Sequence, residues 1–153
     1  MLIGLDLSAA FDTVCHSTLT MRLQTEFGVS GTELSWIQSY LQDRTQCVQQ
    51  RSSKTTLKVE VPQGSVLGPL LFAVDCSPVA DVSASHSVRC HQYADDTQLY
   101  SDARRQHSAD LSILGDCTTN VKQWYMQNGL QLNPDKSEAL FMGTATQLRA
   151  VSS

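Results

Sequence analysis

No C-x-x-C pair occurs among the five cysteines, Cys15, Cys47, Cys76, Cys90 and Cys117, which are odd in number and scattered along the chain. That excludes a zinc ribbon and a disulfide framework. Free thiols fit a reducing compartment, so an intracellular protein of nucleus or cytoplasm is expected rather than a secreted one. Basic residues are also few: 11 Lys and Arg stand against 15 Asp and Glu, a formal net charge of −4 over 153 residues. A self-sufficient nucleic-acid binder neutralises several phosphates with cations, and this composition offers no such field. No apolar run approaches a membrane span, and Met1-Leu2-Ile3 followed closely by Gly4 and Asp6 is not a signal peptide. No membrane partner is expected. His86, Cys90 and His91 lie close together but lack a fourth ligand, which favours structural roles. Ser-His-Asp and Cys-His arrangements are absent too, so nothing points to a covalent nucleophile. With 41% hydrophobic and 17% charged residues, no repeats and no linker, the chain reads as one folded domain.

What is present centres on Gln92-Tyr93-Ala94-Asp95-Asp96-Thr97-Gln98-Leu99-Tyr100. Ser87 to Tyr93 and Thr97 to Tyr100 read as strands around a tight Ala-Asp-Asp turn. Aspartate is common in turns. Adjacent carboxylates nevertheless repel unless a cation relieves them, and oxygen-only acidic clusters suit Mg²⁺.

Taken in order, Leu2 to Leu7 predicts a buried strand carrying a carboxylate, Asp6, near its end. Leu19, Leu23 and Phe27 predict a helix over Ser17–Phe27, stopped by Gly28. Ser30 with Glu33 forms a capping-box pattern before a helix faced by Leu34, Ile37 and Leu41. Both tryptophans, Trp36 and Trp124, sit at helical spacings that read as core. A hairpin is expected over residues 45–61, then a break at Pro62-Gln63-Gly64-Ser65, then a buried helix from Gly68-Pro69 to about Val79. After the Asp-Asp hairpin, Ser108 caps a helix with Leu111, Leu114 and Val121 to Trp124 on its apolar side, ending at Asn128-Gly129. A strand and turn over 130–136 and a closing strand over 138–142 complete the chain, with a frayed tail from Gly143. The expected class is α+β, with helices on one face of a mainly antiparallel sheet. In such a layer Asp6 can stand beside Asp95 and Asp96. Three convergent carboxylates can hold two divalent ions about 3.5–4 Å apart, as in-line nucleotidyl transfer requires.

Four stretches resemble successive motifs of reverse transcriptases, most of all those of LINE-type (non-LTR) retrotransposons. They are Leu5-Asp6-Leu7-Ser8-Ala9-Ala10-Phe11-Asp12, Val61-Pro62-Gln63-Gly64-Ser65-Val66-Leu67-Gly68-Pro69, Tyr93-Ala94-Asp95-Asp96 and Leu130 to Glu138. The order and spacing also match, from Leu5 to Met142. The resemblance implies a right-hand polymerase palm over residues 1–143, a partial domain, with the tail at 144–153. It implies Asp6, Asp95 and Asp96 as catalytic metal ligands for two Mg²⁺ ions, with Mn²⁺ as a substitute and the Leu7 carbonyl as a further ligand. It implies that the amides of Ala9 and Ala10 lie near the incoming triphosphate and that Phe11 screens out a ribose 2′-hydroxyl. Gln63 and Gly64 would meet nucleotide and template, and Lys136 falls where a general acid for the pyrophosphate has been proposed. The implied partners are an RNA or DNA template, a DNA primer and dNTP.

Two positions depart from the pattern: Glu60 stands where the family usually places glycine, and Cys15 where these elements often carry aspartate. The chain also shows no basic fingers segment before Leu2 and no primer grip or thumb after Met142. A palm remnant of a retrotransposon, with little or no activity alone, is therefore expected. The alternatives are a catalytically inactive nucleic-acid-binding or non-functional remnant, and a two-metal nuclease or phosphatase. The last gives no account of Phe11 or of the Pro-Gln-Gly-Ser loop.

Overall fold

The computed structural model describes residues 1–8, 10–42, 61, 65–101 and 107–142. The chain divides into two compact units, residues 10–75 and the remainder. The hairpin expected over 45–61, apart from Val61, lies outside the described residues, as do Ala9, Gln63, Gly64 and the tail from Gly143.

The unit formed by residues 1–9 and 76–153 holds β1 (Leu2–Leu5), β2 (Leu7–Ser8), β3 (Arg89–Tyr93), β4 (Asp96–Tyr100), β5 (Gln131–Leu132) and β6 (Glu138–Leu140). Four strands form one sheet in the order β3-β4-β1-β6, and β2 pairs with β5 in a second. Every described pairing is antiparallel. The single strand expected over 2–7 is thus divided at Asp6, because the chain changes partners there. Period-two alternation sends Leu5, Thr97 and Leu99 inward and leaves Asp96 and Gln98 outward.

One helix of this unit, numbered α5 because three precede α4 in the chain, spans His107–Gln127. It is already under way at His107, one residue before the expected cap at Ser108. Its buried face is Leu114, Cys117, Val121 and Tyr125, at helical spacing. Gly129 ends it with φ +77, and Leu130 N–H donates to the Tyr125 carbonyl at 2.8 Å in a Schellman pattern. Helix α4 (Pro78–Ser85) lies beside α5 and β3. The continuous helix from Gly68 to Val79 is corrected accordingly. It is two helices, since Pro78 lacks an N–H and its ring would collide with the carbonyl four residues back.

The tie between α5 and the sheet is polar. Thr97 Oγ1 and Tyr125 Oη are 2.8 Å apart, and both residues are fully buried. Burial pushes the Tyr125 hydroxyl far above the ordinary phenol range, so it stays a neutral hydrogen-bonding group.

The unit of residues 10–75 begins with a 3₁₀ turn over Ala10–Thr13. It continues through α1 (His16–Thr25), α2 (Gly31–Leu41) and α3 (Gly68–Asp75). Cys15 sits at the N-cap of α1 without a side-chain capping bond, the role an aspartate would fill. Hydrogen bonding from the Ser17 side chain and the start of α1 draws its thiol down to about 7. Ser30 also makes no side-chain cap bond, so the expected capping box is not closed. Trp36 is corrected from core to surface: it is 58% exposed and stacks on Tyr40 with ring centroids 6.0 Å apart. It helps line an apolar groove of about 620 Å³ with Phe27, Ile37 and Leu70. Within this unit, Arg22 of α1 meets Asp75 of α3 at 3.3 Å, with both side chains 8% exposed. Burial raises the Asp75 carboxyl while the Arg22 guanidinium opposes that shift.

Two stability predictions follow from these buried polar pairs. Arg22→Met strands a buried carboxylate and should destabilise by about 3–5 kcal/mol in urea denaturation, with an Arg22→Met/Asp75→Leu double variant recovering most of it. Tyr125→Phe leaves the Thr97 hydroxyl unmet at a cost of about 1–3 kcal/mol, and adding Thr97→Val should restore part of that loss.

Candidate active site

Antiparallel pairing explains why distant residues meet at one end of the four-stranded sheet. Strand β1 runs toward Asp6, β4 starts at Asp96, and β6 starts just after Ser137. Leu5 pairs with Thr97 and Gly4 with Glu138. Asp6, one residue past the last β1 pair, therefore reaches the end of the sheet at which β4 begins with Asp96 and which Lys136 and Ser137 precede on the β6 side.

The β3–β4 turn is tighter than the expected Ala-Asp-Asp. Tyr93 pairs with Asp96, so the loop is Ala94-Asp95 and Asp96 is already the first residue of β4. Ala94 has φ 52, and Asp95 does not share that positive sign. That is the sign pattern of a type II′ turn, which favours glycine at its first central position. An alanine there stores about 1–2 kcal/mol of backbone strain.

Asp6 is held mainly through its backbone. Its N–H donates to Ser137 Oγ at 3.3 Å, and its carbonyl accepts from Asn133 N–H at 2.8 Å. Its carboxylate is less committed. Asp6 Oδ2 is buried and has no hydrogen-bond partner, and the Lys136 ammonium stands 3.8 Å from it. The Lys136 side chain is 69% exposed and that of Asp6 19%, so this cation is largely solvated. Asp95 is half-buried and Asp96 exposed. Among the described residues, no group of three His, Cys, Asp or Glu side chains is drawn together closely enough to hold an ion. The sheet therefore brings Asp6, Asp95, Asp96 and Lys136 to one end, but their carboxylates are not gathered into a closed cage. An all-oxygen donor set with an orphaned buried oxygen fits a hard divalent cation.

Leu7 is buried in β2 opposite Leu132. Ala10 and Phe11 belong to the 10–75 unit, where Ala10 is buried and the Phe11 ring lies 5.1 Å from that of Phe72. In the same unit, the Phe11 carbonyl accepts from Val61 N–H at 2.9 Å. His86 Nε2 is 2.8 Å from the Asn120 amide nitrogen, while Cys90 and His91 are consecutive strand residues on opposite faces. Sequence reasoning missed Ser137, Asn133, Thr97 and Tyr125 as supports. The one available signal was Asn133-Pro134-Asp135, a turn pattern placed just before a strand.

The family model of the reverse transcriptase (RNA-dependent DNA polymerase) matches residues 1–150, and the chain belongs to that family. The LINE-type resemblance read from the motifs holds. The chain is 30% identical over 141 residues to the probable RNA-directed DNA polymerase from transposon BS of Drosophila melanogaster, covering 87% of this chain and 15% of that protein. It is 31% identical over 141 residues to the RNA-directed DNA polymerase from mobile element jockey of the same species, covering 86% and 15%. A third relative is the retrovirus-related Pol polyprotein from type-1 retrotransposable element R2 of Popillia japonica, at 26% over 157 residues, 94% of this chain and 25% of that protein. The chain thus spans about 15% of the length of the Drosophila relatives. Among the described residues, no helix is long and apolar enough to cross a membrane.

The strain in the turn is directly testable. Ala94→Gly should raise stability by about 0.5–1 kcal/mol in urea denaturation, because glycine adopts positive φ without the Cβ penalty but loses more chain entropy on folding.

Proposed function

We propose that this chain is the palm of an RNA-directed DNA polymerase, with a nucleotidyl-transfer site at the end of the four-stranded sheet. We further propose that it has little or no activity by itself. The observation that carries the reading is the buried Asp6 Oδ2, which has no hydrogen-bond partner, at the sheet end that also bears Asp95 and Asp96. In this reading Asp6, Asp95, Asp96 and the Leu7 carbonyl hold two Mg²⁺ ions, for which Mn²⁺ can substitute. When bound, such ions supply Lewis acidity to the primer 3′-hydroxyl and to the pyrophosphate leaving group.

The chain's own groups do the rest. The three carboxylates concentrate negative charge where a cation must sit. Lys136 is assigned the role of proton donor to the pyrophosphate, a step a lysine performs with little tuning. The amides of Ala9 and Ala10 are assigned to triphosphate oxygens, which backbone N–H groups suit. Phe11, whose ring rests on Phe72, is assigned to screening the sugar 2′-position, and Gln63 and Gly64 to nucleotide and template. The substrates are then dNTP and a DNA primer on an RNA or DNA template. A net charge of −4 leaves few cations for phosphates, so the grip on primer–template is weak and salt-sensitive.

The absence of a closed three-ligand group among the described residues favours a second reading, a catalytically inactive nucleic-acid-binding or non-functional remnant. Primer extension on an RNA template, run with Mn²⁺ binding on the folded chain and an Asp95→Ala control, separates the two. The first reading expects Mn²⁺ binding weakened about tenfold or more by Asp95→Ala, with faint extension at low salt that the control abolishes. Mn²⁺ binding indifferent to Asp95→Ala would overturn the metal assignment. Strong extension at physiological salt, about 0.15 M, would overturn the weak grip.

A further inference from the structure

We infer that Ser137 is a positioning residue for Asp6: its hydroxyl stands in for the missing strand partner at the point where Asp6 leaves β1. The inference rests on the metal-binding role proposed above for Asp6. Strand β6 pairs with β1 only from Leu2 to Gly4. Beyond that ladder the Asp6 N–H would find no backbone acceptor on β6, and it donates to Ser137 Oγ at 3.3 Å instead. The Ser137 hydroxyl in turn donates to the Asn133 carbonyl at 2.7 Å. Asn133 N–H closes the ring by donating to the Asp6 carbonyl at 2.8 Å.

The Asp6 peptide groups are therefore held on both sides by one short turn. That turn is braced internally, since Asn133 Oδ1 accepts from Asp135 N–H at 3.2 Å. Fixing the backbone of a residue fixes the direction in which its side chain leaves, so the ring sets the Asp6 carboxylate while consuming neither of its oxygens. A carboxylate held through its own oxygens would have less capacity left for a cation. Ser137 suits this place because a hydroxyl accepts and donates at once, which alanine cannot do. It also directly follows Lys136, whose ammonium stands 3.8 Å from Asp6 Oδ2.

The test is Mn²⁺ binding to the full chain, followed by the paramagnetic resonance of the free ion, for wild type, Asp6→Asn, Ser137→Ala and Ser137→Thr. Circular dichroism establishes that each variant is folded. Wild type should bind, Asp6→Asn should lose binding, and Ser137→Ala should weaken it about tenfold. Ser137→Thr, which keeps the γ-oxygen, should bind as wild type does. A purely structural serine would not give that pattern at equal folded fraction. If wild type does not bind, or Asp6→Asn binds equally well, the metal reading fails and the inference falls with it. If Asp6→Asn loses binding while Ser137→Ala binds as wild type, the metal reading stands and the inference is overturned. Should Ser137→Ala not fold, hydrogen exchange of the Asp6 amide in wild type decides. Protection, together with full binding by Ser137→Thr, supports the ring, and exchange at an open-loop rate overturns it.

Discussion

The structure of the residues 1–9 and 76–153 unit depends on one peptide, that of Asp6. Before it the chain pairs with β4 and β6; after it the chain pairs with β5. A strand that changes partners exposes backbone groups at the junction, and buried N–H and C=O groups must be met. Ser137 and Asn133 meet both. Since β1 and β4 are antiparallel, fixing Asp6 at that junction also fixes its level against Asp96. A slip of one residue would turn Thr97 and Leu99 outward and Asp96 and Gln98 inward. The buried Thr97–Tyr125 bond opposes such a slip, because only the observed register puts the threonine hydroxyl under α5. Carboxylate placement is therefore a consequence of register, and register is held from behind the sheet.

Two local rules are broken at the Asp6 end of this sheet. Ala94 holds a positive φ that favours glycine, and Asp6 carries a buried oxygen without a hydrogen bond. Each is unfavourable by itself, the Asp6 oxygen because no hydrogen bond replaces the water it loses and the Lys136 ammonium offsets this only in part. Elsewhere in the unit the Schellman close at Gly129 and the apolar stripe of α5 are ordinary solutions, while Ser87, just before β3, also holds a positive φ of 56 and Gln92 Nε2 is also buried without a hydrogen bond.

Much of this was legible in the sequence, because period and punctuation are local. The Asp-Asp hairpin, the helix stop at Gly129 and the α+β class all follow from spacing and turn residues, whereas α1 ends at Thr25, short of the expected stop at Gly28. The features that were not legible depend on partners far along the chain. Nothing local to Leu2–Leu7 reveals that the strand divides at Asp6, since β6 and β5 determine that division. Trp36 has helical spacing, but spacing cannot tell which flank of a helix other elements cover. The break before Pro78 was legible in principle, but the apolar run starting at Gly68 outweighed it. Ser137 was hidden for a different reason: a serine before a strand is common, and its meaning comes from an aspartate 131 positions away.

Two carboxylate–cation pairs among the described residues have opposite character, and the contrast bears on what each can do. Asp75 and Arg22 are both buried at 3.3 Å, and removing either leaves a charge that water cannot reach. Such a pair does not exchange partners. Lys136 stands 3.8 Å from Asp6 Oδ2 with most of its side chain in solvent. An exposed pair of that kind contributes about 0–1 kcal/mol. The Asp6–Lys136 contact can therefore open without stranding a buried cation, whereas the Arg22–Asp75 pair cannot, so the first is labile where the second is fixed.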